Sequence, residues 1–424
     1  MNSRLFLRLM LLSIAAGTWA TPMHSQSSPA QPFALHDGDR VTFYGDSITA
    51  QREYTRDVED YVLTRFPQWK VDFHNAGVGG DKVSGGSAGP VDLRLQRDVL
   101  EARPSVITIM LGMNDGYYRA SEPGIASTFE DGYRHIVDSL KKNLPQARIT
   151  LIQPSPYDDI TREPGFAGGY NGVLLQYSRF LAQLSHETGT ELSDLNTPVT
   201  AVLTTMNQQS HELAQQFIPD RVHPAEGGHW IMAGALLKSW NAPAVVSSVA
   251  LSASPERVEK AVNATVTNLH AGERGLTWTQ EEAALPLPFP PAEVDPVLAL
   301  TLKVSDLVAT LDQETLVVGG LKTGKYDLLI DGRLVGSFSS EELGKGINLA
   351  VLDTPMLEQS RLLEHDTQKK NVLEEARFQI INKSLEGESS PVAKALEQAL
   401  PGAVARQHTD ALPRPHRFEL NAVR

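Results

Sequence analysis

The sequence predicts an α/β fold: a parallel β-sheet covered by helices on both faces, followed by a smaller, mainly β region with flanking helices. Three observations predict it. Short apolar strand candidates alternate with helix-like stretches between residues 40 and 240, the pattern of a layered α/β domain. One of them, Val106-Ile107-Thr108-Ile109-Met110-Leu111, is nearly continuous in its apolarity, as expected of a central strand buried on both faces. Beyond Trp240 the pattern gives way to extended segments, turn signals and a proline-dense stretch.

In chain order, strands are expected at Arg40–Tyr44, Val71–His74, Ser105–Leu111 and Arg148–Gln153, with a weaker one at Glu191–Leu195. Helices are expected at Arg52–Phe66, Asp92–Ala102, Ser127–Asn143, Val173–Glu187, Val199–Gln216 and Ala225–Trp240. Asn241-Ala242-Pro243 breaks the last helix. Val245–Val262 reads as extended, and the prolines of Ala284–Pro291 exclude regular helix there. Strand-like runs follow at Leu316–Val318, Tyr326–Ile330 and Arg333–Phe338, with the hairpin signal Asp331-Gly332 between the last two. Pro355–Lys383 has helical spacing, and its charge makes Glu358–Glu375 read as a solvated helix. Beyond Ser389, proline and charge are mixed and no firm structure is expected. The expected partition is a signal over residues 1–20, a tail over 21–36, an α/β domain over 37–242, a β-rich accessory region over 243–352, and a helical and irregular region over 353–424.

The chain of 424 residues is 41% hydrophobic and 21% charged, the composition of a globular protein with a sizeable core. Its net charge of −13 argues against a nucleic-acid or anionic-membrane partner, both of which need clustered Lys and Arg. There is no cysteine, so disulfides, thiolate chemistry and Cys-ligated zinc are excluded. At the amino terminus, Arg4 and Arg8 precede the apolar run Leu9–Ala16, and Thr18-Trp19-Ala20 offers a cleavage site. This is the plan of a secretory signal, and the run is short for a membrane span. A secreted or periplasmic protein, with no stable membrane insertion after signal cleavage, is expected.

The stretch Val41–Thr49 runs from a strand into Gly45-Asp46-Ser47 and then toward a helix. A serine at the carboxyl end of a first parallel strand sits where open α/β sheets place their ligand crevice. Alone, Gly-Asp-Ser is an ordinary turn with a helix N-cap. A serine hydroxyl becomes a nucleophile only when a base takes its proton. Asp220-Arg221-Val222-His223-Pro224 offers one, because the three-residue spacing lets Asp220 reach one imidazole nitrogen of His223 and leaves the other free. Pro224 suits the first position of the helix that follows. Attack on an ester carbonyl creates an oxyanion, which preorganised donors stabilise. The Gly-rich loop Asn75–Gly80 and Gly112-Met113-Asn114-Asp115, which ends the central strand, can supply them.

Together, Gly-Asp-Ser, Asn-x-Gly-x-Gly-Gly, Gly-x-Asn-Asp and Asp-x-x-His-Pro resemble the four sequence blocks of the SGNH, or GDSL, hydrolases. The resemblance covers residues 40–240, about half the chain. It implies a flavodoxin-like three-layer α/β/α sandwich, Ser47 as nucleophile, His223 as base and Asp220 as its orienting carboxylate. It also implies an oxyanion hole of the Ser47 and Gly80 N–H groups and the Asn114 side chain. Gly80 is chosen within its block because it immediately precedes Asp81.

No cofactor is expected. His74, His135, His186, His211 and His229 form no metal-binding spacing, so no metal is expected, and His229 reads as a packing residue. Tyr117, Tyr118 and Tyr157 are candidate substrate-binding residues, and the loop Thr161–Asn171 lies over the same edge. Its polar and aromatic content favours a short-acyl ester on a carbohydrate or another small polar alcohol over a lipid. A lipase or phospholipase, or a non-catalytic glycan-binding protein on the same fold, are the alternatives. Trp278 is the sole tryptophan after residue 242, so that region reads as a structural cover rather than a sugar-stacking module.

Overall fold

The computed structural model describes residues 32–273, 275–383 and 387–423. The signal expected over residues 1–20, and residues 21–31 of the expected tail, lie outside the described residues.

Five parallel strands form the central sheet: β1 (Arg40–Gly45), β2 (Asp72–Gly77), β3 (Val106–Met110), β4 (Arg148–Gln153) and β5 (Glu191–Asp194). Their order is β2-β1-β3-β4-β5. The direction of strand addition reverses between β1 and β3, and such a switch point opens a crevice beyond the carboxyl ends of the two strands. All five residues of β3 are buried, as its continuous apolarity predicts. The helices that cover the sheet bury apolar stripes, for example Phe129, Tyr133, Ile136, Val137 and Leu140 of Pro123–Asn143.

Three helices differ from expectation. The stretch expected as one helix over Asp92–Ala102 is a short α-helix, Val91–Arg94, continuing into a π-helix, Leu95–Leu100. The helix expected over Val199–Gln216 is two, Asn196–Gln209 and His211–Phe217. Ser210 divides them, because its extended backbone ends the first and its hydroxyl accepts from Leu213 N–H at 3.3 Å to cap the second. The closing helix is Glu226–Ser239, so Pro224 precedes its N-cap residue Ala225 instead of opening it. The preceding segment cannot wind into that helix: Asp220 holds the Val222 and His223 N–H groups, and Ala225 N–H is committed to Phe217 O.

After the central sheet and its helices come two further sheets. One orders Ile347–Asn348, Gln313–Gly319, Val245–Ala253 and Glu256–Val262. Its central pair is parallel, whereas the other five-stranded sheet is antiparallel throughout. The expected hairpin forms, with Asp331 and Gly332 both at positive φ, 52° and 79°. The tail beyond Ser389, for which no firm structure was expected, holds the helix Pro391–Ala411 and the strand His416–Ala422. That strand lies between Gly275–Glu282 and Lys325–Ile330 in the middle of the antiparallel sheet. Its Phe418 and Leu420 are fully buried, a two-residue alternation too short to stand out from its charged surroundings.

The later region packs on the first. Leu287, Phe289, Leu298, Leu307 and Leu311 belong to the same apolar cluster as the central sheet. The helix Pro355–Lys383 forms as expected, but it is not solvated along its whole length. Lys370 is 3% exposed and lies 3.0 Å from both Glu59 and Glu374. Its partner helix Glu53–Arg65 carries Asp57, Glu59 and Asp60 buried. The solvated reading of Glu358–Glu375 fails at Lys370 because its charge is paired with that of the buried Glu59 on the facing helix.

Candidate active site

The site is built on the carboxyl edge of β1, β2 and β3. β1 ends at Gly45, which lies beside Gly77 of β2 and Met110 of β3. Both glycines are forced by crowding: a Cβ on Gly45 would stand 2.2 Å from Thr49 Oγ1, and one on Gly77 would stand 2.4 Å from Ala50 N. The space goes to a short helix, Ser47–Ala50, whose N-cap Asp46 accepts from Ile48 N–H at 3.0 Å. Burial pushes the Asp46 carboxyl up to about 7 against that hydrogen bond. Ser47 therefore stands at the first position of a helix, on a turn that cannot relax.

Ser47 meets the histidine loop. His223 Nε2 lies 2.8 Å from Ser47 Oγ, and His223 Nδ1 lies 2.6 Å from Asp220 Oδ2. Asp220 Oδ1 accepts from Val222 N–H at 2.9 Å and from His223 N–H at 2.7 Å. Partial burial raises the Asp220 carboxyl, but these donors and the imidazole outweigh it and hold it below the ordinary carboxylate range. An ionised carboxylate only accepts. Nδ1 therefore carries the proton, and Nε2 is left to accept from the Ser47 hydroxyl.

Further donors lie at Ser47 itself and on the loops that follow β2 and β3. The Ser47 and Gly80 N–H groups have no hydrogen-bond partner among the described residues. Gly80 adopts φ +75°, a left-handed turn that glycine takes without cost. Asn114 follows β3 and donates one amide N–H to Asp81 O at 3.0 Å. Asp81 is itself anchored, its carboxylate 2.8 Å from Arg94 Nε. The fully buried Arg94 also donates to Ala76 O at 2.7 Å, pairs with Asp98 and stacks 5.1 Å from the Tyr44 ring centroid. Asp115 accepts from Val83 N–H at 3.0 Å, and burial pushes its carboxyl up to about 7. The loops after β2 and β3 are thus stitched to each other.

Of the expected wall residues, Tyr118 and Tyr157 lie together, with ring centroids 6.1 Å apart, and both meet Tyr170, at 5.1 and 5.3 Å. The Tyr118 hydroxyl donates to Asn114 Oδ1 at 2.8 Å. Tyr117 is separate. It is 56% exposed and flanked by Lys82 and Arg119, each 5.5 Å from its ring. In the loop Thr161–Asn171, Arg162 donates to Ile218 O at 3.1 Å and Pro219 O at 2.8 Å, and lies 2.6 Å from Asp158. It braces the turn that carries Asp220. His229 is fully buried, stacked 6.2 Å from Tyr54, and burial pushes its imidazole down to about 3. Sequence reasoning missed Arg94, and it placed Arg162 and Tyr170 in the loop over the site edge without giving either a role. Several of their partners are carbonyls and rings distant in the chain, and no local motif marks them.

Residues 43–231 match the family described as GDSL-like lipase/acylhydrolase. An acetylxylan esterase of Geobacillus stearothermophilus is 27% identical over 223 residues, which span 48% of this chain and 94% of the relative. Among solved structures, a gut microbial diltiazem-metabolizing enzyme superposes with a TM-score of 0.79 at 23% identity, over 93% of this chain and 99% of the other. That likeness extends through the two later sheets and concerns the fold.

Proposed function

We propose that this chain, whose residues 43–231 match the GDSL-like lipase/acylhydrolase family, is an exported serine esterase that removes short acyl groups, acetyl above all, from carbohydrate. One observation carries the mechanism: the chain of contacts from Ser47 Oγ to His223 at 2.8 Å and from His223 to Asp220 at 2.6 Å. In this reading Ser47 attacks the acyl carbonyl while His223 Nε2 takes its proton. Asp220 holds the tautomer and stabilises the imidazolium. The Ser47 and Gly80 N–H groups and the Asn114 amide receive the oxyanion. His223 returns the proton to the departing alcohol, and water releases the acid from Ser47 by the reverse sequence.

The substrate class rests on two supports. The acetylxylan esterase relative matches nearly along its own whole length. The entrance offers Tyr118 and Tyr157 rings with the Arg221 guanidinium 5.8 Å from Tyr157, a polar aromatic surface suited to a sugar. Export rests on the basic, apolar and small-residue plan of residues 1–20. Among the described residues no helix is long and apolar enough to cross a membrane. Residues 37–242 form the proposed catalytic domain, with 243–352 and 353–424 as an integral cover.

A fluorophosphonate probe should label Ser47, and p-nitrophenyl acetate should be turned over faster than the octanoate. Acetate release from acetylated xylan tests the carbohydrate assignment. Preference for long acyl chains would favour the lipase alternative, and failure of the probe to label would favour a non-catalytic binding protein.

A further inference from the structure

We propose that Tyr118 is a positioning residue for the oxyanion donor Asn114: its hydroxyl holds the amide so that one N–H stays available to the reacting carbonyl. The proposal rests on the reading of Asn114 given above. A backbone carbonyl only accepts, so the contact of 3.0 Å to Asp81 O identifies the Asn114 atom there as Nδ2. Oδ1 then faces the other way, and at 2.8 Å from it lies the Tyr118 hydroxyl, which must donate. An amide nitrogen has two N–H groups. One is spent on Asp81, and the other has no partner among the described residues. Without Tyr118, the amide is held at one end alone. With it, both ends are fixed, and a donor on Oδ1 polarises the amide so that the remaining N–H is the stronger donor.

The backbone is arranged to make this contact. Tyr118 lies four residues after Asn114, and the chain returns through two consecutive left-handed residues, Tyr117 at φ 51° and Tyr118 at φ 56°. Bulky residues seldom adopt that conformation, which persists where the surroundings over-determine it. Tyr117 N–H is held by Asn114 O at 3.2 Å. The Tyr118 ring packs 5.1 Å from Tyr170, whose hydroxyl donates to Met113 O at 2.7 Å. Gly116 leaves room for that hydroxyl, since a Cβ there would stand 2.6 Å from it. Burial, with Asp46, Tyr157 and Asp220 nearby, pushes the Tyr118 phenol up to about 12, so it stays a donor wherever the esterase would work. A tyrosine that merely walled the pocket would need its ring and not its hydroxyl.

Tyr118→Phe keeps the ring and removes the donor. Measured on p-nitrophenyl acetate, kcat should fall about 3- to 10-fold, the worth of one ordinary hydrogen bond, with KM changed by less than about twofold. In the Asn114→Ala background the same substitution should leave kcat within about 1.5-fold, because the group it positions is gone. Thermal melting of both variants checks that the fold persists. An equal loss of kcat on both backgrounds, an effect confined to KM, or wild-type kcat in Tyr118→Phe would overturn the role of Tyr118. Wild-type kcat in Asn114→Ala would instead overturn the oxyanion reading beneath it.

Discussion

The carboxylate of Asp220 grips His223 at both ends: Oδ2 lies 2.6 Å from the imidazole Nδ1, and Oδ1 accepts the His223 backbone N–H at 2.7 Å. Ring and backbone are oriented by one side chain, and both contacts need an acceptor. In Asp220→Asn one oxygen becomes an NH2 group, which either faces a backbone N–H donor or donates to Nδ1 and so turns His223 to the tautomer that cannot take the Ser47 proton. Turnover should fall substantially while the fold persists. In combination with His223→Ala, Asp220→Asn should cost little more than His223→Ala alone, as for residues acting as a unit. Independent multiplication of the two losses in steady-state kinetics would place Asp220 outside the relay. The lowered Asp220 pKa also sets a sign. A carboxyl depressed on folding contributes stability above its unfolded value, lost only as pH falls through the lower folded value. The turn should therefore survive acid into the lower part of the carboxylate range.

Asn114→Ala removes the amide that donates to Asp81 O. If its other N–H receives the oxyanion, kcat should fall about 10²–10³-fold. KM should change far less, because the bond strengthens only as charge develops. Loss confined to KM would place Asn114 in ground-state binding.

Asp115 gives a test in the opposite pH direction. Burial pushes its carboxyl up to about 7, and Oδ2 has no hydrogen-bond partner among the described residues. A carboxyl raised on folding binds more protons in the native state, so its stabilising contribution is full below the unfolded pKa and lost as pH rises through the folded one. Between pH ~4 and ~7 this residue should reduce stability as pH rises, by at most about 1.4 kcal/mol per pH unit. Asp115→Asn should flatten that slope in urea unfolding followed across this range. An unchanged slope would show that Asp115 ionises in the fold as it does in the unfolded chain.

Lys370 links the helix Pro355–Lys383 to the helix Glu53–Arg65. It lies 3.0 Å from Glu59 and from Glu374, and Asn371 and Gln407 also donate to Glu59. Lys370→Ala leaves the buried Glu59 without its cation, while Glu374 keeps Arg52 at 3.4 Å, and should cost about 3–5 kcal/mol. Urea unfolding measures this, and a change below about 1 kcal/mol, the worth of an exposed pair, would refute burial of the pair. The kcat of the folded fraction should change little.

These predictions divide between what could be read in the chain and what could not. The central sheet was legible because each strand and each site turn is a local pattern: the apolar run of Val106–Leu111, Gly-Asp-Ser after one strand, Asp-x-x-His before a helix. The contact between Asp220 and His223 follows from three residues of chain. Lys370 and Glu59 are 311 residues apart, and nothing local distinguishes a charge that will be buried with a partner from one that faces water. The strand His416–Ala422 forms because two distant strands leave a gap that fits it. Tyr118 was legible as a ring near the site. Its turn back onto Asn114 depends on Gly116 and Tyr170, which no spacing rule connects.

The central claim is that Ser47 is the nucleophile activated by His223 across 2.8 Å. Its most direct test is turnover of p-nitrophenyl acetate by Ser47→Ala, with circular dichroism to verify the fold. The account predicts a folded protein with nearly all activity lost. A folded Ser47→Ala protein with wild-type turnover would contradict it.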